Sequence, residues 1–161
     1  MTTLRQVIDR KSVKPIGGVV FAVTDDLRLE YSEADDEELE YLAMSDAARA
    51  CLRLLAAAGD DEPRLRVVIA AEVEHAESAS AQDRAVAKVD GLVLWQQIVS
   101  FHIDGADAAG VVAAAAEVVD QADLGDGDAE FTVGDAEDVE LAWYAPGEIA
   151  YLVADLDGPP Q

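Results

Sequence analysis

Apolar positions along this chain recur with two different periods, one helical and one extended, and the changes between them outline the elements. Leu4, Val7 and Ile8 share one side of Thr2 to Arg10, with Arg5, Asp9 and Arg10 on the other, so a short helix is expected there, ended by the Pro15 to Gly18 stretch. Val19 to Val23 is a continuous apolar run bounded by turn residues, the pattern of a buried strand. Thr24 is placed to cap a helix reaching Tyr31, with Asp25 and Asp26 complementing its dipole. Ser32 and Asp35 form a capping-box-like start for the longest helix, about Asp35 to Ala57. On it Tyr41, Met44, Ala48, Cys51 and Leu55 trace a core-facing stripe, while Asp46, Arg49 and Arg53 fall on the polar side. The acids Asp36, Glu37, Glu38 and Glu40 sit in its first turns, where the dipole favours negative charge.

The second half follows the same logic. After a turn at Gly59 to Pro63, Arg66 to His75 reads as a strand buried at its start and emerging into water, followed by a polar connection from Ser78 to Asp83. Arg84 to Val89 and Leu92 to Leu94 flank Asp90-Gly91, a dipeptide suited to a hairpin turn. Ile98 to Ile103 is expected as a strand with Val99, Phe101 and Ile103 on one face and Ile98, Ser100 and His102 on the other. Asp104 can cap the next helix, Ala106 to Gln121, whose body of Ala and Val should lie close against a sheet. A short helix over Asp128 to Ala136, a strand over Val139 to Tyr144 and a last helix from Pro146 through Leu156 complete the series. The fold expected is α+β: a single domain over residues 1–156, with a mixed or mainly antiparallel sheet of about five strands covered by helices and a frayed tail at 157–161.

Charge narrows the functional classes. All 11 Lys and Arg residues lie at or before Lys88, whereas the stretch from Val89 to Gln161 holds 16 carboxylates and carries most of the net charge of −23. Such a surface repels phosphate backbones and anionic lipid, which disfavours direct nucleic-acid or membrane binding. A basic protein surface, a cation or water remain as companions, and excess carboxylate also serves solubility. A content of 51% hydrophobic residues excludes a disordered acidic chain. Thirty alanines, with Arg outnumbering Lys eight to three, fit a GC-rich genome, and a salt-loving source would produce a similar composition. A single cysteine, Cys51, forms no internal disulfide and reads as a small core residue. The opening residues lack a signal-peptide core and no apolar run approaches the roughly 20 residues that span a bilayer, so the expected location is the cytoplasm.

Five segments in this order, FAVTDDLRLEY, DDEELEYLAMSDAARACLRLLA, RVVIAAEV, VSFHID and ELAWYAPGEI, together resemble an uncharacterised family of small actinobacterial proteins, a domain of unknown function. The resemblance implies a soluble cytoplasmic protein and transfers no catalytic residue. Members of that family begin with a short strand before the helix that LRQVIDR matches. Either the chain starts upstream of Met1, or the sheet lacks a strand and leaves an edge able to pair with a partner.

Candidate chemistry is sparse. His75 among Glu72, Glu74 and Glu77, and His102 beside Asp104, could ligate a divalent metal if their strands were adjacent, although nothing in the spacing requires it. Asp126, Asp128, Glu130 and Glu137 fall in calcium-loop register, but Phe131 stands where that loop needs glycine. No nucleophile elbow, Walker loop or dinucleotide-binding turn is present. Trp143 and Tyr144 are adjacent on a strand, so one should be core and the other meet solvent, near Glu148. The leading expectation is a non-enzymatic acidic interaction or accessory protein that binds a basic protein partner and needs no cofactor. Its surface would comprise Asp120, Asp123, Asp126, Asp128, Glu130, Asp135, Glu137, Asp138, Glu140, Tyr144 and Glu148. The rival is a metal-dependent enzyme or cation-binding protein built on His102, Asp104 and nearby carboxylates.

Overall fold

In the computed structural model, which describes residues 2–58, 64–79 and 84–156, six α-helices and eight short strands interleave. The class is α+β, with the strands divided among three small antiparallel sheets in place of one. β1 (Ser12–Val13) pairs with β6 (Val93–Leu94); β2 (Val19–Phe21), β5 (Val86–Lys88) and β4 (Glu77–Ser78) form the second sheet; β3 (Val67–Ala71), β7 (Ile98–Ile103) and β8 (Ala142–Tyr144) form the third. The division follows from Asp90-Gly91, which redirects the chain without reversing it. β5 returns to β2 and β4, whereas β6 crosses to β1, where Trp95 N–H donates to Lys11 O at 2.9 Å. The expected hairpin therefore does not form. The Gly59 to Pro63 turn, the end of the Ser78 to Asp83 connection and the tail lie outside the described residues.

Local signals set the first helices. α1 (Thr2–Arg10) buries Leu4 and Val7, and it ends before the Pro15 to Gly18 stretch because Lys11 adopts a left-handed φ of 52°. α2 (Asp25–Glu30) is capped by Thr24, whose Oγ1 accepts from Leu27 N–H at 3.2 Å while its hydroxyl donates to Arg84 O. α3 (Asp36–Ala56) opens with a capping box made by Asp35 and Glu38, not Ser32: Glu38 N–H donates to Asp35 Oδ1, and Asp35 N–H to Glu38 Oε2, each at 2.9 Å. Its buried side chains are Leu39, Ala43, Ala48 and Leu52, a stripe rotated from the one the spacing suggested, and Tyr41 is exposed. The rotation reflects two partners. Leu39 and Ala43 pack with Leu27 and Ala85, and Leu52 packs with the later helices.

α4 (Ala109–Asp123) and α5 (Gly127–Glu137) form a helical hairpin. α4 was expected against a sheet; its Val112, Ala115, Val119 and Ala122 instead interlock with Ala129, Val133 and Ala136 of α5 and Leu52 of α3. Small side chains let the helix axes approach, and each fully buried Val or Leu contributes about 1.5 to 3 kcal/mol. Between the two helices Asp126 N–H donates to Gln121 O at 3.0 Å and Gly125 N–H to Ala122 O at 2.9 Å, a Schellman turn. It needs Gly125 at φ 92°, a conformation side-chain-bearing residues avoid. Asp126 then caps α5 through Ala129 N–H. Asp104 caps nothing: a 3₁₀ turn, Ala106–Ala108, leads into α4 without a side-chain cap. Pro146 lies in a turn closed by Glu148, whose carboxylate accepts Ala145 N–H at 2.9 Å, and α6 (Ile149–Leu156) follows.

One face of the β3–β7–β8 sheet carries the core that α1 and α6 cover. Phe101 and Ile103 meet Val67, Ile69 and Tyr144 across the strands, with Leu4, Val7, Ile149 and Val153 above them. Pairing runs Val67–Ile103, Val68–His102, Ile69–Phe101 and Ala70–Ser100, then jumps to Ala71–Ile98. Val99 is thus a bulge residue, which reverses the expected faces at that end of β7: Ile98 joins Phe101 and Ile103 in the core, and Val99 is 50% exposed.

Candidate functional site

The opposite face of the same sheet is not sealed. Val68 and Ala70 of β3, Ser100 and His102 of β7, and Trp143 of β8 look across a groove of about 930 Å³ towards Met44, Ala47, Cys51 and Leu54 of α3. One wall is continuous along β3 and beyond, from Val67 to Val73, and another runs through β2, from Val19 to Val23. Val19, Tyr41, Leu54, Val73, Val99 and Trp143, six of the large apolar side chains exposed among the described residues, all lie on it, with Trp143 59% and Tyr41 61% exposed. Singly exposed apolar residues are ordinary; six around one concavity form an apolar lining that sets this groove apart.

The charge of the groove has one sign. Its lining includes Glu37, Glu40 and Glu72 and neither Lys nor Arg. Glu37 and Glu40 belong to the acidic cluster read from the sequence as complementing a helix dipole; the fold adds a second environment for them, at the groove mouth. Inside, Ser100 Oγ and His102 Nε2 are 3.0 Å apart, and burial pushes the His102 imidazole below its ordinary pKa, so it is neutral at pH 7. Burial likewise raises the Cys51 thiol, which favours the unreactive protonated form.

Asp104, paired with His102 in the metal reading, is committed elsewhere. Its Oδ2 accepts from Arg66 Nε at 2.9 Å and from Arg66 N–H at 2.7 Å, and its Oδ1 from Arg66 Nη2 at 2.7 Å. His75 is exposed beside Glu77, and among the described residues no group of three His, Cys, Asp or Glu side chains converges to hold a metal ion. The calcium-loop register falls on α5, so its residues take helical spacing instead of wrapping around an ion.

The acidic stretch from Asp120 to Glu140 divides. Asp123, Glu130 and Glu137 gather at the surface around Arg49, at 3.1, 2.8 and 2.9 Å, and Arg53 Nε also reaches Asp123 at 2.6 Å. Arg49 was expected to face solvent; its side chain is only 20% exposed. The hydrogen bonds it donates, to Glu130 first and then to Glu137 and Asp123, hold its guanidinium protonated against burial. The Arg53 hydrogen bond, then that from Arg49, pulls the Asp123 carboxyl below its usual range, and Arg49 does the same for Glu130. Asp126 and Glu148 serve as caps. Asp120, Asp128, Asp135, Asp138 and Glu140 are left on the outside, away from the groove. Of the adjacent aromatics, Trp143 meets solvent and Tyr144, the one placed on the candidate surface, packs on the core.

Sequence reasoning missed the groove because it joins α3 to strands from four separate regions of the chain. One signal was available: Trp143 and Tyr144 are adjacent aromatics on one strand, so one of them had to face away from the core. Compared with known proteins, the chain matches over residues 1–153 the model of a family described as of unknown function (DUF6912). Neither a curated protein nor a solved structure matches it.

Proposed function

We propose that this chain, which belongs to the family of unknown function DUF6912, is a non-enzymatic accessory protein that docks a basic protein partner in the groove between α3 and the β3–β7–β8 sheet. The observation that carries this reading is the coincidence of exposed Trp143, Tyr41, Leu54 and Val99 with Glu37, Glu40 and Glu72 around one concavity without a cation. Apolar anchors supply affinity, and a rim of one charge supplies steering and selection of the opposite charge. Arg49 and Arg53 support the choice of the groove over the Asp120 to Glu140 stretch, since they already engage Asp123, Glu130 and Glu137 and offset two of those three charges.

The test is affinity capture with the wild-type protein beside a Trp143→Ala/Glu40→Lys variant, over a range of salt. A partner rich in Lys and Arg should be retained by the wild type, fade as salt rises past physiological strength, and be missing from the variant. Recovery of the same proteins on both would remove the groove from the function.

A further inference from the structure

β3 and β2 both border the groove, and among the described residues both are edge strands: β3 pairs with β7 alone, and β2 with β5 alone. Along an antiparallel strand, successive residues direct their N–H and C=O groups alternately to one side and the other. Asp104 N–H donates to Arg66 O and Glu72 N–H to Gln97 O, just beyond the two ends of β7, which makes Arg66, Val68, Ala70 and Glu72 the residues whose backbone groups turn towards that strand. Ile69 and Ala71 therefore turn their backbone groups outward, and no bond to those N–H groups is made among the described residues. The groove is lined by every residue from Val67 to Val73, not by alternate ones, so it reaches the edge of β3 as well as the face of the sheet.

Edges of this kind are normally blunted by Lys, Pro or an inward charge, because unpaired backbone groups recruit other strands. The edge Val67–Ala71 carries none of these; its residues are Val, Val, Ile, Ala and Ala, and the bulge in this sheet lies on β7. We propose that the groove receives an extended segment of the basic partner as an added strand on the free edge of β3, an inference that rests on the docking role proposed above. Main-chain bonds to Ile69 and Ala71 set its register. Its side chains on the α3 side are apolar, and its Lys or Arg side chains lie at the mouth beside Glu40 and Glu72.

The experiment selects peptides from a displayed random library on the immobilised protein and then follows amide hydrogen exchange by NMR with a selected peptide bound. Selected sequences should combine apolar residues with Lys or Arg. The Ile69 and Ala71 amides should exchange about tenfold more slowly in the complex, while Val68 and Ala70, already bonded, should not change. A peptide that binds, loses binding in the Trp143→Ala/Glu40→Lys variant, and leaves Ile69 and Ala71 unprotected would overturn strand addition and leave groove docking standing. Peptides that bind this variant equally well, or a library that yields none, would overturn both. Protection of Ile69 and Ala71 that rises with concentration of the protein alone would assign the edge to a second copy and overturn its assignment to a basic partner.

Discussion

Arg66 and Asp104 form a two-point ion pair with almost no solvent, their side chains 2% and 0% exposed. Arg66 Nη2 also donates to Val139 O at 3.0 Å, so one guanidinium ties together the entry to β3, the exit from β7 and the chain leading to β8. These are the three strands whose outer face floors the groove.

Removing one member strands the other in a dry interior. Asp104→Asn should cost about 3 to 5 kcal/mol in urea unfolding, because the Arg66 charge is left without compensation. Replacing both, as Arg66→Met with Asp104→Leu, should cost clearly less. A loss under about 1 kcal/mol for Asp104→Asn would show that water reaches the pair.

Arg49→Gln should lower stability by about 1 to 2 kcal/mol at neutral pH, since it releases Asp123, Glu130 and Glu137 together. Asp123 and Glu130 have lowered pKa values when folded, so their contribution is present above the ordinary carboxylate range of about 4 and disappears as pH falls through the lowered values. Unfolding curves of wild type and variant should accordingly converge in acid. A gap that persists undiminished would mean that Arg49 acts by packing alone.

Trp143 and Trp95 should report on different surroundings. Trp95 stacks near Phe101, with ring centroids 5.9 Å apart, and Lys11 Nζ lies 4.0 Å over its ring. Trp143→Phe should thus abolish the fraction of fluorescence that acrylamide quenches readily and change stability by less than about 0.5 kcal/mol. Retention of that fraction would place Trp143 under cover.

His102 is held neutral by burial, so the folded state resists its protonation. The unfolded chain binds that proton more readily, and stability is lost as pH falls from about 6.5 through the lowered folded value. His102→Gln should flatten this part of the pH profile, and imidazole resonances should show the titration directly. A midpoint at or above 6.5 would contradict the burial.

What was legible in the sequence is what neighbouring residues decide. Thr24 is a cap because the residues needing it follow at once, and α1 and α5 run close to where they were expected, whereas the Asp126 cap went unread. The division of the strands, the bulge at Val99 and the inward turn of Arg49 depend on partners far along the chain: Arg49 meets Asp123, Glu130 and Glu137 from 74 to 88 residues away. The rule that charged residues face water failed at Arg49 and Arg66 for the same reason. Their counter-charges come from distant segments whose approach no local pattern encodes.

Charge segregation along the chain has a consequence for assembly. Every Lys and Arg precedes Val89, and Asp123, Glu130 and Glu137 of the α4–α5 hairpin meet theirs only when α3 docks against it. Divided after Lys88, the two pieces would be unequal: one keeps all the cations, and the other is a polyanion whose helices still share their apolar seam. They would behave as complements, because Asp123, Glu130 and Glu137 of one piece find Arg49 and Arg53 only in the other.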